Sequence, residues 1–280
     1  LATFFAAGAA APALAQLTLD VDAGLRGPAI GERHYGLFFE EINHAGDGGL
    51  YAELIHNRSF EDNAGNPDKW WATDGAAMSL ATEGLLNDAQ GHALRLDIAA
   101  AGRGVRNEGF WGIDVVQGRK YKLSFWLKGA PAYEGTLTAA LQSEDGTHLG
   151  SVEIPVQADG TWRKLEAEIT ATGDDPKGWF ALTGDTPGTL ELDVVSLFPP
   201  TFKDRPNGCR PDLAQMLADM KPGFVRFPGG CYVEGVWGNN STNRFEWKKT
   251  IGPIEERPGH MNQNWGYRVS DGMGFHEMLQ

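Results

Sequence analysis

Tyr35-Gly36-Leu37-Phe38-Phe39-Glu40-Glu41-Ile42-Asn43 is the stretch on which the fold turns. An uncharged, largely apolar run leads straight into paired glutamates. Such a run suits a strand covered on both faces, as in a parallel sheet, rather than the alternation of a half-exposed strand. In a (β/α)8 barrel the active face is built from the loops that follow the strands. Glu40 and Glu41 therefore stand at a candidate barrel mouth, where a carboxylate can hold hydroxyls or act as acid, base or nucleophile. A solvated pair at a strand end is the plain alternative. Downstream, Gly46-Asp47-Gly48-Gly49 is a loop, and Leu50, Tyr51, Leu54 and Ile55 at helical spacing predict a short helix over 50–57. Upstream, Leu17 to Val21 alternates as a half-exposed strand does.

From about Asp62 to Pro200 the pattern changes to short alternating runs: Met78–Leu80, Ala93–Ile98, Tyr121–Leu127, Thr136–Leu141, Ser151–Val156, Arg163–Ile169, Gly178–Leu182 and Thr189–Leu197. Turn clusters such as Glu144-Asp145-Gly146 and Ala158-Asp159-Gly160 separate them. Short strands with turns at this spacing predict an antiparallel β-sandwich or jelly roll.

A β/α pattern then returns. Pro211 in a first turn, with Leu213, Met216, Leu217 and Met220 on one face, predicts a helix over 212–220 that Pro222-Gly223 stops. Phe224-Val225-Arg226-Phe227 reads as a short buried strand broken by Pro228-Gly229-Gly230. Ser270 reads as the N-cap of a last helix carrying Met273, Phe275, Met278 and Leu279. A helix, a strand and a helix do not close a barrel, so the chain is expected to be incomplete at its C-terminus. The fold class expected is α/β plus all-β, the start of a (β/α)8 barrel interrupted by an antiparallel β-sandwich.

The first residues, Leu1 to Ala13, are apolar and alanine-rich and end in Ala13-Leu14-Ala15. That is an h-region with a small-x-small cleavage site, so residues 1–15 are expected to be the remnant of a signal peptide; a buried N-terminal helix is the alternative. No other run approaches the roughly eighteen apolar residues of a membrane span. The expected location is secreted or periplasmic. The net charge of −13 disfavours nucleic acid and anionic membranes as partners and suits a neutral ligand. Cys209 and Cys231, the only cysteines, match no zinc motif and are either free thiols or a single bridge. Neither a metal nor a cofactor is expected, since the chain has no Walker motif, nucleophile elbow or His-Glu-x-x-His.

Arg226 lies inside an apolar strand, and a buried charge needs a partner; pairing with Glu40 or Glu41 would provide one. The double glycine after it lets backbone approach a ligand closely. Ile251 to His260 reads as a rigid loop of mixed charge among Trp237, Trp247, Trp265 and Tyr267, aromatics suited to sugar stacking or to core packing. Asn57-Arg58-Ser59 and Asn240-Ser241-Thr242 fit the N-glycosylation pattern.

Gly36-Leu37-Phe38-Phe39-Glu40-Glu41-Ile42-Asn43-His44-Ala45-Gly46, then Gly48 to Leu54 and Asn57 to Glu61, resemble the opening of glycoside hydrolase family fifty-one α-L-arabinofuranosidases. Arg226-Phe227-Pro228-Gly229-Gly230-Cys231 and Gly252-Pro253-Ile254-Glu255-Glu256-Arg257-Pro258-Gly259-His260 resemble the family's second signature region. The spacing matches its longer, plant-like and bacterial branch, with a carbohydrate-binding-like sandwich between the blocks. The resemblance implies a first barrel unit after an N-terminal strand in residues 16–61, the sandwich in 62–200, and a resumed barrel in 201–280. It implies release of terminal α-L-arabinofuranose from arabinose-containing polysaccharides with retention of configuration. The acid/base and nucleophile glutamates are expected beyond Gln280, so no catalytic residue is assigned in this chain. By the same resemblance Glu40 and Arg226 bind substrate, and Cys231 stands where other branches carry a ligand-binding asparagine. Relatives often form oligomers, so a homo-oligomer is left open. A non-catalytic carbohydrate-binding protein and a same-clan glycosidase of another sugar are the alternatives. Trp70, Trp71, Trp111 and Trp126 are the sandwich aromatics in question.

Overall fold

The computed structural model describes residues 17–73, 76–131, 133–236 and 243–280. The expected signal remnant, Trp237 and the Asn240 triplet lie outside the described residues. In chain order the strands begin with β1 (Leu37–Phe38), β2 (Trp70–Thr73), β3 (Ala77–Ala81), β4 (Ala93–Ile98) and β5 (Arg103–Asn107). There follow β6 (Ile113–Val115), β7 (Lys120–Gly129), β8 (Glu134–Gln142), β9 (His148–Gln157), β10 (Arg163–Thr170), β11 (Asp175–Gly184) and β12 (Gly188–Phe198). Helix α1 (Pro211–Asp219), strand β13 (Val225–Arg226), helix α2 (Cys231–Glu234) and a hairpin of β14 (His260–Asn262) and β15 (Tyr267–Val269) complete the chain.

Strands β2 to β12 form two antiparallel sheets, ordered β10-β7-β12-β4-β3 and β2-β5-β11-β8-β9, with β6 added beside β11. The alternation that predicted them is what closes the core. On β7, Tyr121, Leu123, Phe125 and Leu127 point inward while Lys120 and Lys122 face water. Leu137, Ala139 and Leu141 of β8, Phe180 and Leu182 of β11, and Leu190 and Leu192 of β12 belong to the same buried cluster. Each large apolar side chain so buried contributes about 1.5–3 kcal/mol. The core thus closes mainly on the strands of the sandwich, with Ile55 and Phe60 of the preceding segment added to it.

The remainder follows different rules. β1 and β13 pair in parallel, Leu37 opposite Val225 and Phe38 opposite Arg226, and the pairing continues as Glu41 N–H donates to the Pro228 carbonyl (3.0 Å). The expected burial on both faces is absent: Phe38 is 56% and Val225 49% exposed. No further strand flanks this pair among the described residues. α1 forms as predicted with Pro211 in its first turn, yet its apolar stripe is divided. Leu213, Ala214 and Leu217 pack on Leu50, Tyr51 and Met273, whereas Met216 and Met220 are exposed.

Three further sequence expectations fail in the fold. Leu17 to Val21 makes no strand and its apolar residues are exposed, since no neighbouring strand pairs with it among the described residues. The helix over 50–57 is replaced by a five-residue turn at Gly46–Leu50 and an extended segment. Tyr51 bridges Cys209, and Ala52 and Leu54 N–H donate to the Gly208 and Leu197 carbonyls. Burial of Tyr51, Ala52, Glu53 and Ile55 together needs a chain covered on both sides, which a one-faced helix does not provide. The last helix reduces to a single turn at Glu277–Leu279. Ser270, read as its cap, instead donates its N–H and Oγ–H to Asp47, at 2.6 and 3.0 Å.

Candidate functional site

The first glutamate after β1 reaches across to the loop after β13. Gly230 N–H and Tyr232 N–H both donate to Glu40 Oε1, at 3.0 Å each. Gly229 makes this approach possible: its φ is +148°, and a Cβ there would lie 2.5 Å from Glu40 Cγ. Among the described residues no group donates to Glu40 Oε2. The carboxylate is therefore held at one oxygen and available at the other.

Arg226 does not pair with Glu40 or Glu41 as expected. It is exposed, and its guanidinium lies 4.7 Å from the centre of the Phe38 ring across the strand pair. A cation over an aromatic face is stabilised by about 0.5–1 kcal/mol at such a site. Its Nη2 is 3.6 Å from where a Gly230 Cβ would stand, so Arg226 and Glu40 meet the same loop. Cys231 opens α2 as an exposed free thiol, and its carbonyl accepts from Asn264 Nδ2 at 2.8 Å. Cys209 is also free, half-buried, and raised to about 11 by burial and by Glu277. The bridge between the two cysteines is not made.

The second glutamate has a different fate. Glu41 is buried; Tyr267 O–H donates to its Oε1 at 2.7 Å, and Asn262 Nδ2 donates to its carbonyl at 2.9 Å. Burial, then the nearby Asp47 carboxylate, raises Glu41 to about 8. Asp47 is itself raised, by burial, against the bonds from Ser270 that favour its charged form. Two carboxyls in one dry site cannot both ionise cheaply, so Glu41 serves as a proton-holding structural group beneath the site.

The wall behind them is ionic. Arg257 is buried, donates to Glu277 through Nη1 (3.1 Å) and Nη2 (2.9 Å), and also bonds the Gly252, Asp271 and Gly272 carbonyls. Asn207 Nδ2 donates to Glu277 Oε1 at 2.8 Å and its Oδ1 accepts from Tyr51 O–H; the latter also accepts from Arg58. Arg58 faces the buried Glu53, which takes the Leu197 N–H and the Ser196 hydroxyl of β12. This network ties the sandwich to residues 207–277. The reading of 251–260 as a rigid loop agrees with it, but spacing gave no sign that Arg257 finds Glu277.

Of the sandwich tryptophans, Trp70 is buried with its Nε1 donating to the Asn57 carbonyl and is not free for stacking, while Trp126 is half-buried with its Nε1 out of water. Trp71 is exposed and meets Trp179 edge-on at 5.1 Å, with Arg106 over the Trp179 ring. Trp111 is exposed beside His44. The Asn57 glycosylation triplet is also corrected: Asn57 is buried and its Nδ2 donates to the Asp68 carbonyl at 2.7 Å.

Alpha-L-arabinofuranosidase 1 of Arabidopsis thaliana is 40% identical over 281 residues, covering 94% of this chain. Along nearly its whole length the chain is thus similar to α-L-arabinofuranosidases. An extracellular exo-alpha-L-arabinofuranosidase of Streptomyces chartreusis is also 40% identical, over 94% of the chain. The solved structure of an arabinose-bound family fifty-one α-L-arabinofuranosidase is 37% identical over 88% of the chain, with a TM-score of 0.82. Residues 216–280 match the alpha-L-arabinofuranosidase 1 domain and residues 52–188 a carbohydrate binding domain. The chain spans 41% of the Arabidopsis arabinofuranosidase and 32% of the Streptomyces one.

Proposed function

We propose that this chain is part of a retaining α-L-arabinofuranosidase that removes terminal, non-reducing α-L-arabinofuranose from hemicellulose or pectin. The supporting observation is the geometry of Glu40. One oxygen is pinned by two backbone N–H groups and the other is open, at the carboxyl end of parallel strands, where barrel enzymes hold substrate. The strand pair β1–β13 is read as the start of a (β/α)8 barrel in 16–61 and 201–280, and 62–200 as the sandwich inserted into it. Residues 1–15 are read as a signal remnant, with export to the periplasm or the exterior; the Streptomyces relative is named extracellular.

In this reading Glu40 accepts from the arabinose hydroxyls. A charge-assisted hydrogen bond is about twice as strong as a neutral one. Arg226, oriented on Phe38, donates to the sugar oxygens. Cys231 lines the same subsite and contributes weak sulfur contacts. Glu41 is assigned a structural part, because its carboxyl is buried and bonded to Tyr267. Retaining hydrolysis needs an acid/base and a nucleophile carboxyl about 5–5.5 Å apart. Those two glutamates are assigned to the part of the protein outside this chain.

Exposed Trp71 against half-buried Trp179 with Arg106 favours a second activity, carbohydrate binding by the sandwich, consistent with its domain match. The test of the main reading is turnover of aryl α-L-arabinofuranoside against aryl β-D-xyloside by the complete protein. A clear preference for the arabinofuranoside supports it. A folded protein inactive on both moves the assignment to carbohydrate binding, and a preference for xyloside moves it to another sugar.

A further inference from the structure

The connection between β5 and β6 places an exposed tryptophan against the loop that carries Glu40 and Glu41. Trp111 is 69% exposed, with a φ of +63° that a bulky side chain rarely adopts. Residues held there cost of order 1–3 kcal/mol and persist only where the surroundings fix them. The surroundings here do. Asn107 is fully buried; its Oδ1 accepts from Gly109 N–H (2.8 Å) and His56 N–H (3.3 Å), and its Nδ2 donates to the His56 and Lys69 carbonyls. Phe110 stacks face-on with His56 at 4.2 Å and packs so closely on Gly48 that a Cβ there would lie 2.5 Å from its ring. The loop is thus clamped immediately ahead of a residue whose own ring is left in solvent.

That ring stands at the end of an aromatic series leading to the site. Trp111 meets His44 edge-on at 5.4 Å, and His44 stacks on Tyr267 at 3.8 Å. Tyr267 O–H bonds Glu41, the chain neighbour of Glu40. A purely structural clasp would cover its largest apolar group; Phe110 is half-buried against His56 and Gly48, whereas Trp111 stands in solvent.

We infer that Trp111 is a specificity-determining platform of the sandwich, stacking on the polysaccharide main chain that carries the arabinose held at Glu40. The inference rests on the proposed function. The exposed indole face suits the C–H face of a sugar ring, and the chain's net charge of −13 favours a neutral polymer over an anionic one. Trp111 touches the polymer outside the residue that is cleaved, so its contribution disappears with a substrate that has no polymer.

The test uses the complete protein with Trp111→Gly, which accepts the positive φ without strain, and Trp111→Phe. Activity is measured on arabinoxylan and on 4-nitrophenyl α-L-arabinofuranoside, together with retardation in arabinoxylan-containing native gels. Trp111→Gly is expected to lower polymer kcat/KM about tenfold and to lose retardation, with aryl arabinofuranoside kinetics unchanged; Trp111→Phe is expected to retain most of both. A parallel loss on both substrates, or no change in polymer kinetics and retardation, overturns the inference. Absence of aryl arabinofuranoside turnover in the unsubstituted protein would instead sink the proposed function, and the gel comparison would still decide whether Trp111 holds polymer.

Discussion

The sandwich and the parallel strand pair use the same kinds of residue to opposite ends. In the sandwich, Phe125 and its alternating neighbours are enclosed by strands of the same unit. In the pair, Phe38, Phe224 and Val225 are as apolar but half in water. An alternating strand closes its core with the next hairpin, whereas a continuous apolar strand needs cover on both faces. Around the pair, order comes instead from buried ions and hydrogen bonds: Arg257 with Glu277, Glu41 with Tyr267, and Asp47 with Ser270.

The largest way to break this comparison is to empty each core. Phe125→Ala is expected to destabilise the sandwich by about 3–5 kcal/mol, while Phe38→Ala shifts chain unfolding by about 1 kcal/mol or less, the size of its contact with Arg226. Denaturant unfolding of the chain measures both, and equal losses would erase the distinction. Next is the ionic wall. Arg257→Met leaves Glu277 buried without its partner, a change expected to cost about 3–5 kcal/mol. Limited proteolysis should then open residues 201–280 while the sandwich stays protected; simultaneous digestion of both would show that the sandwich depends on that wall.

A smaller effect comes from pH. Glu41 is raised from 4.5 to about 8, so between those values the folded chain holds a proton that the unfolded chain has lost. Stability from this group is therefore complete below pH 4.5 and falls as pH rises towards 8. Asp62, raised to about 7, and Asp193, raised to about 8, act with the same sign through burial. His56, lowered to about 3 by burial and then by Lys69, acts oppositely: its contribution is present above pH 6.5 and lost as pH falls. The unfolding midpoint should thus drop from pH 6.5 to 8.5, and Glu41→Gln should flatten that drop. An unchanged slope in the variant would remove Glu41 from the proton balance.

Much of the sandwich was legible because its strands are long and alternate: β4 spans the expected Ala93–Ile98, and β7 and β12 extend their expected cores by a few residues. β5, Arg-Gly-Val-Arg-Asn, was not, because its polar sequence is held by the ladders on either side, where Gly104 lies against the Leu182 carbonyl. Leu50–Asn57 misled because its spacing fits a helix while its tertiary contacts cover both sides. At the site, the strand ends that carry Glu40 and Arg226 were legible, but the expected ion pair between them was not made: Glu40 meets the Gly230 and Tyr232 N–H groups and Arg226 the Phe38 ring. The division of labour between Glu40 and Glu41 does not, since adjacent glutamates look alike until one meets backbone N–H groups and the other Tyr267 and Asp47. The buried partners of Arg257 and Asp47 lie far away in sequence, beyond the reach of any local signal.

The central claim is that Glu40, held open at the end of the strand pair, binds the sugar. The most direct measurement is the kinetics of 4-nitrophenyl α-L-arabinofuranoside hydrolysis by the complete protein and its Glu40→Gln variant, with folding checked by thermal unfolding. Loss of a charge-assisted hydrogen bond made more strongly in the transition state predicts a fall in kcat/KM of about a hundredfold or more with the unfolding midpoint little changed. Kinetics equal to those of the unsubstituted enzyme would contradict the account.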